Sequence, residues 1–306
     1  MSGGFKHNRP WSRLLFAPAL ALLLSGIANA GLKEGLEASA AEDYERSYRE
    51  VLPLAQAGHP LAQFLIGQAY RSGRGVLKDD AQALEWFKRA ADGGNVQAQV
   101  NLARSYQLGE GTPKDYQAAL KWYLRAAEQG RETAYIGLAE MYKRGEGVDA
   151  DPAIALRWLT QAAQKDHPAA QYELGRRYWQ GRGSDRDFDA AYEWFTKSAS
   201  QNYVPAMVSL GMMFFGDGRS LDTVSACTYL KLAQQLGVKR PDDAALLDSA
   251  IQNRCNTLPP QQQRAVADRM GKWEPRKVWF ERQQREFQEL VQKAGEEDLR
   301  RGQSQK

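Results

Sequence analysis

Four short glycine loops divide the chain at a fixed interval. Starting from Gly73, Gly109, Gly145 and Gly181 they read GRGVLKD, GEGTPKD, GEGVDAD and GRGSDRD, each 36 residues after the one before. A phosphate-cradling loop needs glycine because backbone amides must approach the ligand, and it normally occurs once per site. Copies in register are architecture instead, so the loops are read as punctuation between helices. The first glycine of each stands where a helix ends in a left-handed residue, a conformation that penalises any side chain with a Cβ.

Aligned on this period, the segments before the loops share one helical face. Ala62, Ala98, Ala134, Ala170 and Ala206 recur in register, followed four residues later by Ile66, Leu102, Leu138, Leu174 and Leu210. Next come Gly67, Ala103, Ala139, Gly175 and Gly211, then Tyr70, Tyr106, Tyr142, Tyr178 and Phe214. Offsets of four and three keep these residues on one side of a helix, where small ones admit a neighbour closely and large ones fill the space beside it. After each loop, Asp79, Asp115, Asp151 and Asp187 stand where an N-cap accepts from the first free amides of a second helix. That helix carries Ala83, Ala119, Ala155 and Ala191, then Trp86, Trp122, Trp158 and Trp194. Each unit is thus a helix pair, and since one pair cannot bury its own apolar face, units stack. The predicted fold is all-α, an α/α superhelical solenoid of stacked helix pairs with a C-terminal helical extension.

The ends of the chain depart from the period. Residues 1–30 have the form of an export signal: Lys6, Arg9 and Arg13, an apolar run from Leu14 to Leu24, and Ala28-Asn29-Ala30 with cleavage after Ala30. The run is too short to span a bilayer, which takes about 20 residues. No membrane span is therefore expected after cleavage, and the expected location is the periplasm or outside the cell. Residues 31–57 are read as an N-terminal capping half repeat headed by Asp43, 58–237 as about five repeats, and 238–272 as C-terminal capping helices. In the fifth repeat Gly216 and Gly218 arrive one residue early and Tyr229 replaces Trp. Residues 273–306 read as an amphipathic tail with Phe280, Phe287, Val291 and Ala294 along one stripe, either packing on the last repeats or docking a partner.

Losing the three basic residues of the signal takes the formal balance from +4 to +1, which gives no support to nucleic-acid binding. Cys227 and Cys255 are the only cysteines. In an oxidising compartment they are expected to form one disulfide, the alternative being two buried thiols.

The pattern G-x3-A-x3-L-G-x2-Y-x2-G-x-G-V-x2-D-x3-A-x2-W-x3-AA resembles the Sel-1-like repeat, a relative of the tetratricopeptide repeat. Residues 58–201 carry four near-complete copies and 202–237 a looser one. The resemblance implies an adaptor or scaffold for protein complexes, often in bacterial envelopes or the secretory pathway. A secreted branch with a cysteine pair in nearly every repeat is linked to penicillin binding, and another branch contains polysaccharide-export scaffolds. A peptidoglycan- or β-lactam-acting envelope protein and a scaffold for polysaccharide assembly or export are therefore the alternatives to an adaptor.

Catalytic chemistry finds few candidates, so no enzyme, cofactor or metal is expected. His59 and His167, the two histidines after the signal, lie three periods apart, each before a proline, as helix-start residues. HExxH, GxSxG, Walker and SxxK sequences are missing. The Trp ladder is read as inter-repeat packing rather than a sugar platform. Binding should lie where the repeats differ, on the first-helix face at offsets 3, 7, 10 and 14. Stacked first helices typically line the concave side, so Asn101, Arg104, Glu140, Arg144, Glu173 and Arg176 form a candidate groove for a protein or extended peptide. The competing reading is an ordinary solvated face.

Overall fold

The computed structural model describes residues 31–181, 186–216, 222–238 and 241–275. The expected amphipathic tail, Arg276 to Ala294, and the early glycine Gly218 lie outside the described residues. No strand occurs among them, and they form two compact units, 31–115 and 116–275.

The first unit contains α1 (residues 31–40), α2 (Tyr44–Gln56), α3 (Pro60–Ser72), α4 (Asp80–Asp92) and α5 (Val96–Leu108). The second contains α6 (Tyr116–Glu128), α7 (Glu132–Arg144), α8 (Pro152–Gln164), α9 (Pro168–Gln180), α10 (Phe188–Ala199), α11 (Val204–Gly216) and α12 (Thr223–Leu236). It ends in α13 (Pro241–Ala250), a π-turn over Ile251–Cys255 and α14 (Pro260–Gly271). Within each unit helices pack chiefly on their sequence neighbours, as expected of repeats that contact only adjacent copies. Each unit is a stack of helix pairs, the predicted α/α-solenoid class.

The punctuation works through the backbone as read. Gly73, Gly109, Gly145 and Gly181 end their helices at φ 68, 78, 71 and 64°. Asp79, Asp151 and Asp187 each accept two amide hydrogen bonds at 2.9–3.0 Å through one carboxylate oxygen. The N–H of each capping aspartate also donates to the carbonyl of the stripe tyrosine, Asp79 to Tyr70, Asp115 to Tyr106, Asp151 to Tyr142 and Asp187 to Tyr178, at 2.8–3.1 Å. The loop thus ties the end of one helix to the start of the next.

The second glycine of the loop has a role the sequence did not reveal. Gly75 and Gly111 also have positive φ, and each lies against the backbone at the start of the preceding second helix, at Tyr44 and Asp80 respectively. It therefore fixes the spacing between repeats as well as the turn.

The core follows the stripe. Ala62, Ala98, Ala134, Ala170 and Ala206 are at most 1% exposed, as are Ile66, Leu102, Leu138, Leu174 and Leu210. On the second helices the deepest large residues follow the tryptophans: Phe87 and Phe195 are fully buried and Tyr123 nearly so. Phe87 and Phe195 fill the notches at Gly67 and Gly175, where a Cβ would come within 2.7 Å of the ring. The tryptophans sit shallower, and Trp86, Trp122 and Trp194 each carry a cation three residues on over one face: Arg89, Arg125 and Lys197 at 4.4–4.8 Å.

A second recurring device is a buried glutamine. Gln63, Gln99 and Gln171 donate through Nε2 to the carbonyls of Ala55, Ala91 and Ala163, eight residues earlier, at 3.2–3.4 Å. These carbonyls lie at the ends of second helices, where the intrahelical ladder leaves acceptors over. In the third repeat Tyr135 takes this place and stacks on Trp158 at 5.7 Å.

The C-terminal end is stapled. Cys227 of α12 is bonded to Cys255 at the end of the π-turn, with Cα atoms 5.4 Å apart and both residues buried. Trp273 folds back, donating from its indole N–H to Asn202 at 3.0 Å and meeting Tyr229 edge-on at 5.9 Å. Tyr229, standing where earlier repeats have Trp, stacks on Phe214.

Candidate functional site

In the second unit a cavity of about 440 Å³ opens between the first helices α7 and α9, above α8. Ile136, Ala139, Ala155 and Leu159 supply an apolar floor. The rim is charged, with Glu140 and Lys143 from α7 and Glu173, Arg176 and Arg177 from α9. The rim charges are organised within each helix. Glu140 pairs with Lys143 at 3.2 Å and with Arg144, and Glu173 pairs with Arg176 at 2.9 Å. These side chains are partly solvated, so each pair is worth at most about 1 kcal/mol. Their consequence is orientation: Arg176 is held beside Glu173 and over the Tyr172 ring, 5.8 Å from its centroid.

The first unit has a cavity of about 400 Å³ at the equivalent place three periods earlier, between α1 and α3 above α2. Leu65 and Gln68 stand there where Glu173 and Arg176 stand in the second unit, and Tyr44, Ser47 and Val51 where Pro152, Ala155 and Leu159 stand. Its wall includes Tyr48, whose hydroxyl lies 3.0 Å from that of Tyr70. Burial and then that hydrogen bond push the Tyr48 phenol up to about 12, so it is a neutral hydrogen-bonding group at ordinary pH. Arg71 and Arg74 close the rim, Arg74 over the Tyr44 ring at 4.9 Å.

Of the residues singled out by repeat comparison, Glu140, Glu173 and Arg176 come together around one cavity. Arg144 does not line it; it pairs with Glu140 and reaches Glu146 at 3.7 Å. Asn101 and Arg104 belong to the first unit, on α5. Asn101 is half-buried, accepting a hydrogen bond from the Arg71 guanidinium and donating to the Gln97 carbonyl at 2.8 Å. Arg104 is exposed. The offsets chosen from the sequence missed Lys143, Arg177 and Arg71, which lie one residue to the side of the chosen positions and line the two cavities.

Other chemistry is weakly served. His59 and His167 are N-caps, and His59 accepts from the Ala62 amide at 3.4 Å. Burial pulls the His167 imidazole down to about 4, with Glu132 opposing and Arg131 adding to the shift. Among the described residues no group of three His, Cys, Asp or Glu side chains is placed to hold a metal ion, and no helix is long and apolar enough to cross a membrane.

Comparison with known proteins agrees with the repeat architecture. A Sel1 repeat protein from Oxalobacter formigenes superposes with a TM-score of 0.68 at 29% identity, covering 79% of this chain and all of that one. A protective antigen of uropathogenic Escherichia coli strains displaying an SLR fold gives 0.65 at 27% identity, covering 82% of this chain and 56% of that one, so the chain spans little more than half of that protein. No curated protein matches. Five consecutive segments, residues 60–95, 96–130, 133–167, 168–203 and 204–238, match the Sel1 repeat, together more than half of the sequence, and the chain belongs to the Sel1 repeat family.

Proposed function

We propose that this protein is an exported, non-enzymatic adaptor that binds a protein partner, through an extended segment of that partner, on the face formed by its first helices. Sel1-repeat proteins are in general protein-interaction scaffolds. The observation that carries the finer reading is the recurrence of one cavity type: apolar floor, charged rim, between successive first helices, once in each unit. An extended chain offers side chains at regular intervals and backbone groups between them, which suits alternating apolar and polar subsites. The Cys227–Cys255 bond and the signal-like first thirty residues support export. The tryptophans offer little to a glycan, because Trp86, Trp122 and Trp194 each have a cation over one ring face.

The test is capture by chemical cross-linking in the native compartment with residues 31–306, beside an Arg176→Glu variant of native helicity. The reading requires a protein recovered by the wild type and lost from the variant. Equal recovery by both overturns it.

A further inference from the structure

The two units differ at one set of equivalent positions, and the difference lies in charge. Two periods separate Arg71 from Lys143, Asn101 from Glu173 and Arg104 from Arg176. In the second unit the chain supplies its own carboxylate, and Glu173 pairs with Arg176 at 2.9 Å. In the first unit the same place is taken by Asn101, an amide one methylene shorter and without the charge. Asn101 and Arg104 are three residues apart on α5 and share a face. Asn101 accepts from Arg71, and the charge of Arg104, on the same face of α5, is near enough to act on the Arg71 guanidinium.

Two guanidinium groups are thus brought together, and among the described residues neither has a carboxylate at ion-pair distance. Arg71 is held firmly: its guanidinium lies 5.5 Å from the Phe87 ring centroid and is bonded to Asn101. Burial, and then the charge of Arg104, disfavour the protonated form of Arg71, while Glu110 and Asp80 offset this only in part. Such a pair is electrostatically costly in the free protein, and an anion between the two groups would relieve it. Arg71 also lines the first unit's cavity, where Leu65 and Val51 provide an apolar wall.

Resting on the reading above, we propose that Arg71 and Arg104, with Asn101 as the orienting amide, bind an acidic side chain of an extended peptide whose neighbouring apolar residue enters the cavity between α1 and α3. Charge complementarity and a planar, bidentate donor geometry favour a carboxylate. The apolar wall favours an aliphatic or aromatic neighbour.

The experiment selects phage-displayed random dodecapeptides on the mature chain, residues 31–306, and on Arg104→Gln and Asn101→Asp variants of native helicity. Arg104 is exposed, and Asn101→Asp adds an internal carboxylate as Glu173 does. The wild type is expected to enrich peptides with Asp or Glu beside a large apolar residue. A selected peptide made synthetically should bind either variant about tenfold more weakly. Changing its acidic residue to the amide should cost a similar factor on the wild type and little on the variants. Enriched peptides without an acid preference, or with one that survives both variants, overturn the carboxylate site while leaving peptide binding by the first-helix face standing. If no chain enriches any peptide, both readings fail.

Discussion

The carbonyl oxygen of Asp80 occupies the space that a side chain on Gly111 would need: a Cβ there would lie 2.2 Å from it, at a residue whose φ is +75°. Gly75 meets the Tyr44 carbonyl in the same way, at 2.1 Å. Gly111→Ala must therefore both enter the left-handed region and push two repeats apart, at an expected cost of about 3 kcal/mol. Gly94 also has positive φ but nothing within 4 Å, so Gly94→Ala should cost only about 1 kcal/mol. Urea unfolding of the two variants measures the difference.

Gln171 is 1% exposed and sits in a closed set of amide contacts. Its Nε2 donates to the Ala163 carbonyl at 3.2 Å, and its Oε1 accepts from Gln201 at 2.9 Å. Gln171→Leu keeps the volume but removes one hydrogen bond from each partner; the Ala163 carbonyl still accepts from the Asp166 N–H and Gln201 still donates to the Asp166 carbonyl, so the expected loss is about 1 kcal/mol. Gln171→Glu should be worse, because the carboxylate cannot donate to the Ala163 carbonyl. Denaturation midpoints give the ranking.

The Cys227–Cys255 bond closes a separation of 28 residues. Loop-closure entropy assigns it about 3–4 kcal/mol. Because repeats contact only their neighbours, reduction should open α12 to α14 and leave the first unit unchanged. Amide hydrogen exchange with and without reductant is the check: loss of protection confined to residues 222–271 is expected.

His167 gives a pH dependence of definite sign. Its folded value of about 4 lies below the ordinary 6.5, so the unfolded chain takes up the proton first as pH falls. Stability should decline from about pH 6.5 towards 4 and level off below. His167→Asn preserves an N-cap but removes the titration. Its unfolding midpoint should fall less than that of the wild type between pH 7 and pH 4.5.

Much of the fold was legible because repetition turns one chain into an internal alignment. The Ala, Leu and Tyr stripe, the first loop glycines and the capping aspartates all repeat with their neighbours, and local periodicity suffices to place them. Phe87, Tyr123 and Phe195 were overlooked because the adjacent tryptophans are the more conspicuous aromatics; a helical wheel alone does not say which of two neighbours lies deeper. The roles of Gly75 and Gly111 depend on the preceding repeat's backbone, and the Arg71–Asn101 bond spans 30 residues between different helices. Such contacts depend on how helix pairs stack. For the candidate site the sequence identified the variable face and three residues of the α7–α9 cavity rim, but not the division of residues between two separate cavities.

The central claim is that partners engage the first-helix face, and site-specific photo-cross-linking in the native compartment tests it most directly. A photoreactive residue would replace Arg104, Glu140 or Arg176 on first helices, and Lys88, Lys121 or Arg157, all exposed, on second helices. Protein adducts from the first set and none from the second are predicted. Adducts from the second set alone, or equally from both, would contradict the account.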